Sequence, residues 1–364
     1  MCGRTACTLN PADICNACGY RNRQGRQTRP QWRDRRGGAT GGGGATGGGG
    51  GTTGVQYYTS YNVGPQTYTP IMVSKAAIDE DTKTVESEDE RVITPMRWGL
   101  VPSWHKGSPN KFSYSTINCR DDSLTQKAIF KRPLERGRRC VVLADGFYEW
   151  KKTKDGKKQP YFFYFPQETK WSSPEQLQDD NYDDDGNWCG RRVLTMAGIY
   201  DVLKPKNEGE ETLYTYTIIT TSASPELSWL HDRMPAILED DDAIRDWLDS
   251  GNIDSSKAVN LIKPTGKIQW HPVATVVNSV RNKEPECIVP VDLDKPKPES
   301  KFMAAWLSRG SKGTPKEEST KKSSPKKKPA QNLLTSWVKR ESPRKQKMAE
   351  DTDGSPSPKR VKTE

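Results

Sequence analysis

Histidine is scarce in this sequence: His105, His231 and His271 are the only three in 364 residues, and none stands at metal-ligand spacing from another. Paired cysteines are nearly as rare. CNAC at Cys15–Cys18 has the right spacing, but a structural zinc site needs a second pair, and Cys7, Cys119, Cys140, Cys189 and Cys287 are scattered singly. Neither a metal nor a cofactor is therefore expected. Serine-hydrolase elbows, phosphate-binding loops and dinucleotide fingerprints are missing too, which removes the commonest hydrolase, kinase and dehydrogenase readings. No apolar run approaches the roughly 18–20 residues that span a bilayer, so no membrane partner is expected. No apolar leader follows the N-terminus, and eight cysteines in that setting read as reduced thiols inside a cell. Hydrophobic residues make up only 32% of the chain, so a sizeable part is expected to lie outside any packed core.

What charge there is sits unevenly. The net +10 belongs entirely to the stretch from Leu293 to Glu364, with 19 Lys/Arg against 9 Asp/Glu; residues 1–292 carry 38 of each sign. A polyanion bound by the folded part must then meet a local basic patch, the tail adding only a diffuse, salt-sensitive attraction. Two low-complexity stretches frame the rest. GGATGGGGATGGGGGTTG at 37–54 reads as a loop insertion, and residues 291–364, rich in Lys, Pro, Ser and Glu, as a disordered basic tail. The acidic stretch 176–187 is a second loop candidate.

Between them lie runs of strand character: ITPMRWGLV, RRCVVLADGFYEW, QPYFFYF, RRVLTMAGIYDV, TLYTYTIITT and IQWHPVATVV, rich in Val, Ile, Tyr, Thr and Phe. DDDAIRDWLDS and SSKAVNLIK have the pattern of short amphipathic helices. The expectation is one α+β domain over residues 2–290, built mainly on antiparallel strands.

The chemistry-bearing residues are few. If Met1 is trimmed, as it is before small residues, Cys2 becomes the first residue and carries an α-amine and a thiol on adjacent carbons. Both groups are partly nucleophilic at neutral pH, and together they trap an aldehyde as a five-membered thiazolidine. In SYSTINCRDD, Asn118 and Arg120 fall on one face of a strand. In VVLADGFYEWKK, Glu149 stands between Tyr148 and Trp150, where partial desolvation suits a carboxyl for proton transfer. LHDRMP sets His231 and Arg233 on an expected loop before a proline.

In order along the chain, MCGR, SYN…P ending at Pro65, RWGLVPSW at 97–104, INCRDD, CVVLADGFYEW, TMAGIYD, TIITT, HDRMP and HPVATVVNSVRN resemble the SOS-response-associated peptidase (SRAP) family across nearly all of 2–290. The resemblance implies that Cys2 is the nucleophile and crosslinks the ring-opened aldehyde of an abasic site in single-stranded DNA. Matched motif by motif, Asn118, Glu149 and His231 complete the active site. Arg4, Arg120 and Arg233 take the places of phosphate-contacting arginines, and Pro65, Trp98, Trp104 and Trp150 fall in motifs along the DNA channel. It further implies a monomer in the nucleus, on chromatin at replication forks, that shields the lesion and reverses its crosslink with help from Glu149. Two departures are visible: the insertion at 37–54, and Asp232, where an acid beside Arg233 is expected to weaken a grip on phosphate.

In the tail, Gln331, Leu334, Trp337 and Val338 resemble the box that seats in the sliding clamp PCNA, with Val338 where an aromatic anchor is usual. PKKKP at 325–329 and PKRVK at 358–362 resemble nuclear-import signals. Two other readings stay open. One is a non-covalent reader of DNA or 5-hydroxymethylcytosine, in which Cys2 only packs. The other is a cysteine peptidase acting on its own N-terminus.

Overall fold

A computed structural model describes residues 2–34, 55–78, 90–112, 116–167, 181–184, 186–205 and 211–294. The glycine-rich insertion, half of the acidic stretch, and the tail with Gln331, Leu334, Trp337, Val338 and both import signals lie outside the described residues. Chain contacts delimit a unit Met1–Lys297 from Pro298–Glu364.

Two sheets organise the first unit. The smaller has five strands in the order β15 (Gln269–Pro272), β11 (Lys158–Tyr164), β10 (Gly146–Lys152), β1 (Thr5–Cys7) and β5 (Ser60–Val63), all antiparallel. The larger runs β14 (Arg233–Pro235), β13 (Leu213–Ser222), β12 (Leu194–Leu203), β9 (Arg139–Ala144), β6 (Tyr68–Ser74), β7 (Arg91–Trp98) and β4 (Gln31–Trp32), with β8 (Asn118–Arg120) joined to β13. A two-stranded ribbon of β2 (Tyr20–Arg21) and β3 (Gln27–Thr28) stands apart from both. The expected antiparallel character holds for most pairs, but β7 also pairs with β13 in parallel, Thr215 facing Arg97 and Tyr216 facing Trp98. That pairing closes β13, β12, β9, β6 and β7 into a ring. Closure leaves these strands no open edge and explains why β7 and β9 are buried along their whole length.

The helices are short: α1 (Pro11–Ala17), α2 (Lys75–Ile78), α3 (Asp121–Leu124), α4 (Ala128–Glu135), α5 (Asp241–Leu248) and α6 (Ser255–Val259). The two expected from sequence are α5 and α6. Helix α5 starts at Asp240, whose carboxylate accepts from the Ala243 N–H at 2.9 Å, and buries Trp247, whose indole donates to the Cys140 carbonyl of β9 at 2.9 Å.

RRCVVLADGFYEW is not one strand running into a turn. It divides at Asp145 into β9 in the ring and β10 in the smaller sheet, and this carries Glu149 out of the ring toward Cys2. The Asp145 N–H donates to Ala6 O at 2.7 Å, and its carboxylate accepts from the Thr8 N–H at 2.9 Å and faces Arg191 at 3.3 Å. Gly146 follows because a Cβ there would run into the Phe163 carbonyl and stand 2.6 Å from Phe162 Cζ. Gly146→Ala is expected to cost about 1–3 kcal/mol, as overpacking against rigid backbone does, read as a lower urea midpoint at unchanged slope.

Two further expectations are corrected. HDRMP is not a loop throughout: Arg233–Pro235 forms β14 against β13, with Ser222 facing Arg233 and Thr220 facing Pro235, and an edge strand tolerates the proline. IQWHPVATVV is a strand only as far as Pro272 and then turns into a 3₁₀ segment, Thr275–Asn278.

Candidate active site and nucleic-acid interface

Strand β1 lies beside β10, with Thr5 facing Phe147 and Ala6 facing Gly146, and the Tyr148 N–H donates to Arg4 O at 2.9 Å. The same register carried on sets Gly3 opposite Glu149. Cys2 therefore enters the site along the strand that holds the carboxylate. From the other sheet, Asn118 at the start of β8 donates its Nδ2–H to Cys2 O at 2.7 Å. Three residues far apart in sequence thus meet where the two sheets approach each other.

Cys2 is 1% exposed and Glu149 8%. Burial first, and the negative charge of Glu149 second, push the Cys2 thiol far above its ordinary range. At neutral pH the thiol is held protonated. Asn118 Oδ1 is buried and has no hydrogen-bond partner among the described residues, which leaves an acceptor beside the backbone of Cys2.

Arg4 looks away from the thiol. Its Nη1 donates to Asn62 Oδ1 at 2.6 Å and to Val277 O at 2.9 Å, and the guanidinium lies 5.6 Å from the Trp150 ring centroid. The Trp150 indole donates to Asn278 Oδ1 at 2.7 Å. Asn62 Nδ2 is within bonding distance of the carbonyls of Val277, Ser279 and Asn282 at 3.1, 2.9 and 2.7 Å. One buried asparagine thereby ties the 277–282 loop to Arg4, two residues from the nucleophile. Sequence reasoning gave Asn62 no role, because Arg4 lies 58 positions away and the loop carbonyls more than 210.

Just before β14, His231 Nδ1 accepts from the Arg233 N–H at 3.0 Å and lies 2.6 Å from Asp232 Oδ1. The nitrogen cannot accept from one and donate to the other at once. Arg233 is 8% exposed; its Nη2 donates to Asp121 Oδ1 at 2.7 Å and to the Thr220 carbonyl. Burial raises the Asp121 carboxyl, but hydrogen bonds from Arg233, Thr221 and the Asp122 N–H outweigh it and hold it below the usual range. The expected effect of Asp232 on Arg233 is therefore corrected: Asp232 reaches His231, and the acid engaging Arg233 is Asp121. Arg120 is half-exposed and forked onto Asp122, with Nη2 at 2.7 Å from Oδ2.

The channel residues separate. Trp98 cannot line a surface: it is fully buried, stacks at 6.3 Å on Tyr216, and donates its indole N–H to Ile117 O at 2.9 Å. It anchors the closing pair of the ring. Trp104, six residues on, is 50% exposed. Pro65 lies in the turn between β5 and β6, where Gln66 adopts a left-handed φ of 69° and donates its N–H to Trp98 O at 2.9 Å. Cys15 and Cys18 are buried around the end of α1, and no group of three or more His, Cys, Asp or Glu stands together as a metal site among the described residues.

A buried thiol thus lies beside a carboxylate and a half-satisfied amide. The chain belongs to the SOS response associated peptidase (SRAP) family, whose model matches residues 1–280. It is 43% identical over 376 residues to the abasic site processing protein HMCES of Xenopus tropicalis, covering all of both chains. To the Gallus gallus protein of that name it is 46% identical over 324 residues, 87% of this chain and 88% of that one. To the abasic site processing protein YoqW of Bacillus subtilis it is 30% identical over 235 residues, 64% of this chain and 87% of that one.

Proposed function

We propose that this protein processes abasic sites in single-stranded DNA by capturing the ring-opened sugar aldehyde on Cys2 as a thiazolidine. The observation that carries the reading is the meeting of Cys2, Glu149 and Asn118 across two sheets, with Asn118 holding Cys2 O at 2.7 Å. While Met1 is attached, the Cys2 nitrogen is an amide and no nucleophile; its removal frees an amine with an ordinary pKa near 8.

The chemistry follows from the protonation states. The closed sugar hemiacetal must open, which needs proton transfer at its oxygens, and Glu149 is the group placed for it. The amine, rather than the protonated thiol, attacks the aldehyde first. Its carbinolamine loses water to an imine, with Asn118 Oδ1 available to hold the N–H. The thiol then adds to the imine carbon: a C–S bond forms, the S–H proton passes to nitrogen, and one water has been lost overall. Ring closure matters because a standing imine acidifies the neighbouring C–H and invites β-elimination, which breaks the strand. Reversal retraces these steps, with Glu149 returning the proton. His231 is assigned as the second proton carrier.

Arg4 and Arg233 are assigned to backbone phosphates on the places they hold in the family's motifs. A role at replication forks rests on the family resemblance; nuclear import and the 331–338 box on PCNA rest on the sequence of the tail.

The test is to incubate the processed protein with an oligonucleotide holding one abasic site and weigh the product. The expected mass is protein plus DNA less one water, on a species that survives boiling without reductant. Unchanged protein and DNA, with binding intact, would return Cys2 to packing.

A further inference from the structure

The face of the smaller sheet that carries Glu149 continues beyond the site. Tyr161 faces Glu149 across β10 and β11, and Trp270 on β15 faces Phe163, so these side chains share one face. Trp229, two residues before His231, closes over them. Its ring lies 5.0 Å from Tyr161, edge-on at 76°, and 6.0 Å from Trp270. The Lys151 ammonium sits 4.7 Å from the Trp229 centroid. Trp270 is 36% exposed and Trp229 is partly so. A line of rings thus leads from the buried carboxylate to the surface, and packing alone does not account for indoles left in water at its outer end.

Charge sharpens the reading. The β10–β11 hairpin bears five lysines against one aspartate between residues 151 and 158, all exposed. Lys157 engages Asp155 at 2.7 Å, which leaves four. Residues 1–292 are neutral in sum, so this hairpin is a local surplus, continuous with the proposed site and complementary to phosphate.

We infer that the Trp229–Trp270 ridge and the lysine hairpin form a second contact surface for the same single strand, running outward on one side of the lesion. Bases beyond the abasic site stack on the two indoles, and the backbone follows the lysines. The inference rests on the site being a DNA site, and the test keeps the two apart.

Three proteins are compared: the unaltered chain, Trp229→Ala with Trp270→Ala, and Lys151, Lys152, Lys154 and Lys158 all changed to Gln. Each is titrated with a lesion-free single strand of about 25 nucleotides. Crosslinking is then followed on strands with the abasic site near the 5′ or the 3′ end, and on a strand of about five nucleotides at saturation. The indole pair is expected to weaken long-strand binding about 10–100-fold, and to slow crosslinking at subsaturating concentration on strands extended to one side only. The lysine variant should flatten the slope of log K against log salt by up to about 3. The saturated rate on the short strand should be unchanged in both.

Equal long-strand affinity in all three proteins overturns the inference and makes the ridge a packing or protein-docking surface. Equal losses on both end-placed strands overturn its one-sidedness. Should the indole pair fail to fold, the lysine variant, altered only in an exposed hairpin, decides alone. An unaltered chain that binds long strands but crosslinks none refutes the proposed function instead, without touching the ridge.

Discussion

Cys2→Ala abolishes the heat-stable adduct: without reductant, the yield on an abasic single strand falls by at least about 100-fold, to background. The variant keeps a small second residue, so Met1 is still expected to be trimmed, and it keeps an α-amine. It can therefore still open the route to an imine but has no sulfur with which to close the ring. Two consequences follow. Borohydride, which reduces an imine to a stable amine, should restore a covalent product in Cys2→Ala and in Cys2→Ser. Both variants should also nick the DNA at the lesion, because their imine persists long enough to eliminate. Loss of a buried sulfur costs on the order of 1 kcal/mol, too little to unfold the domain. Gel bands with and without borohydride, with strand length read on the same gel, make the check. A heat-stable, unreduced adduct from Cys2→Ala at the normal rate would exclude the thiol from the chemistry.

Glu149→Gln is expected to slow crosslinking by about 10²–10⁴-fold near neutral pH, the range a positioned acid–base contributes. The amide nearly matches the carboxyl in shape, so binding of lesion-free strand should stay within about twofold. The pH profile separates a chemical role from a structural one. In the native chain the carboxylate charge, after burial, keeps the Cys2 thiol high. Removing that charge leaves burial, the larger cause, in place, so the thiol stays protonated near neutral pH. The rising limb belongs to the α-amine, which loses a neighbouring negative charge, deprotonates at lower pH and moves the limb of the residual rate toward acid. Single-turnover rates between about pH 5.5 and 9.5 read both effects. A uniform loss with no shift of the limb would reduce Glu149 to a positioning residue.

Local pattern was a faithful guide to about half of the strands, seven of the fifteen among the described residues. TLYTYTIITT and QPYFFYF carry the β-branched and aromatic residues that suit a half-buried pleat, and they became β13 and β11. DDDAIRDWLDS became α5 because its cap and apolar stripe lie within one short window. The pattern broke where the chain changes sheets. Nothing in the periodicity of RRCVVLADGFYEW marks Asp145 as a crossing point; the crossing depends on Ala6, Thr8, Arg191 and Phe163, which arrive from elsewhere in the chain.

The candidate site divides in the same way. Cys2, Asn118, Glu149 and His231 were readable as residue types within ordered motifs, and so were the arginines. Their partners were not. Asp121 on Arg233 and Asn62 on Arg4 are contacts across 112 and 58 positions. Trp98 and Trp104 share one eight-residue motif, yet one stacks inside the ring and the other stands half in water. By itself the sequence determined strands such as β11 and β13, helices α5 and α6, the neutral charge of residues 1–292 and the set of reactive groups, since each depends on near neighbours or on composition. Tertiary structure alone decided the closing of the ring through β7 and β13, the burial that keeps the Cys2 thiol protonated, and the line of rings leading away from Glu149. Those depend on pairings between distant segments, whose cost is loop closure and whose reward is shared burial, and neither leaves a period in the chain.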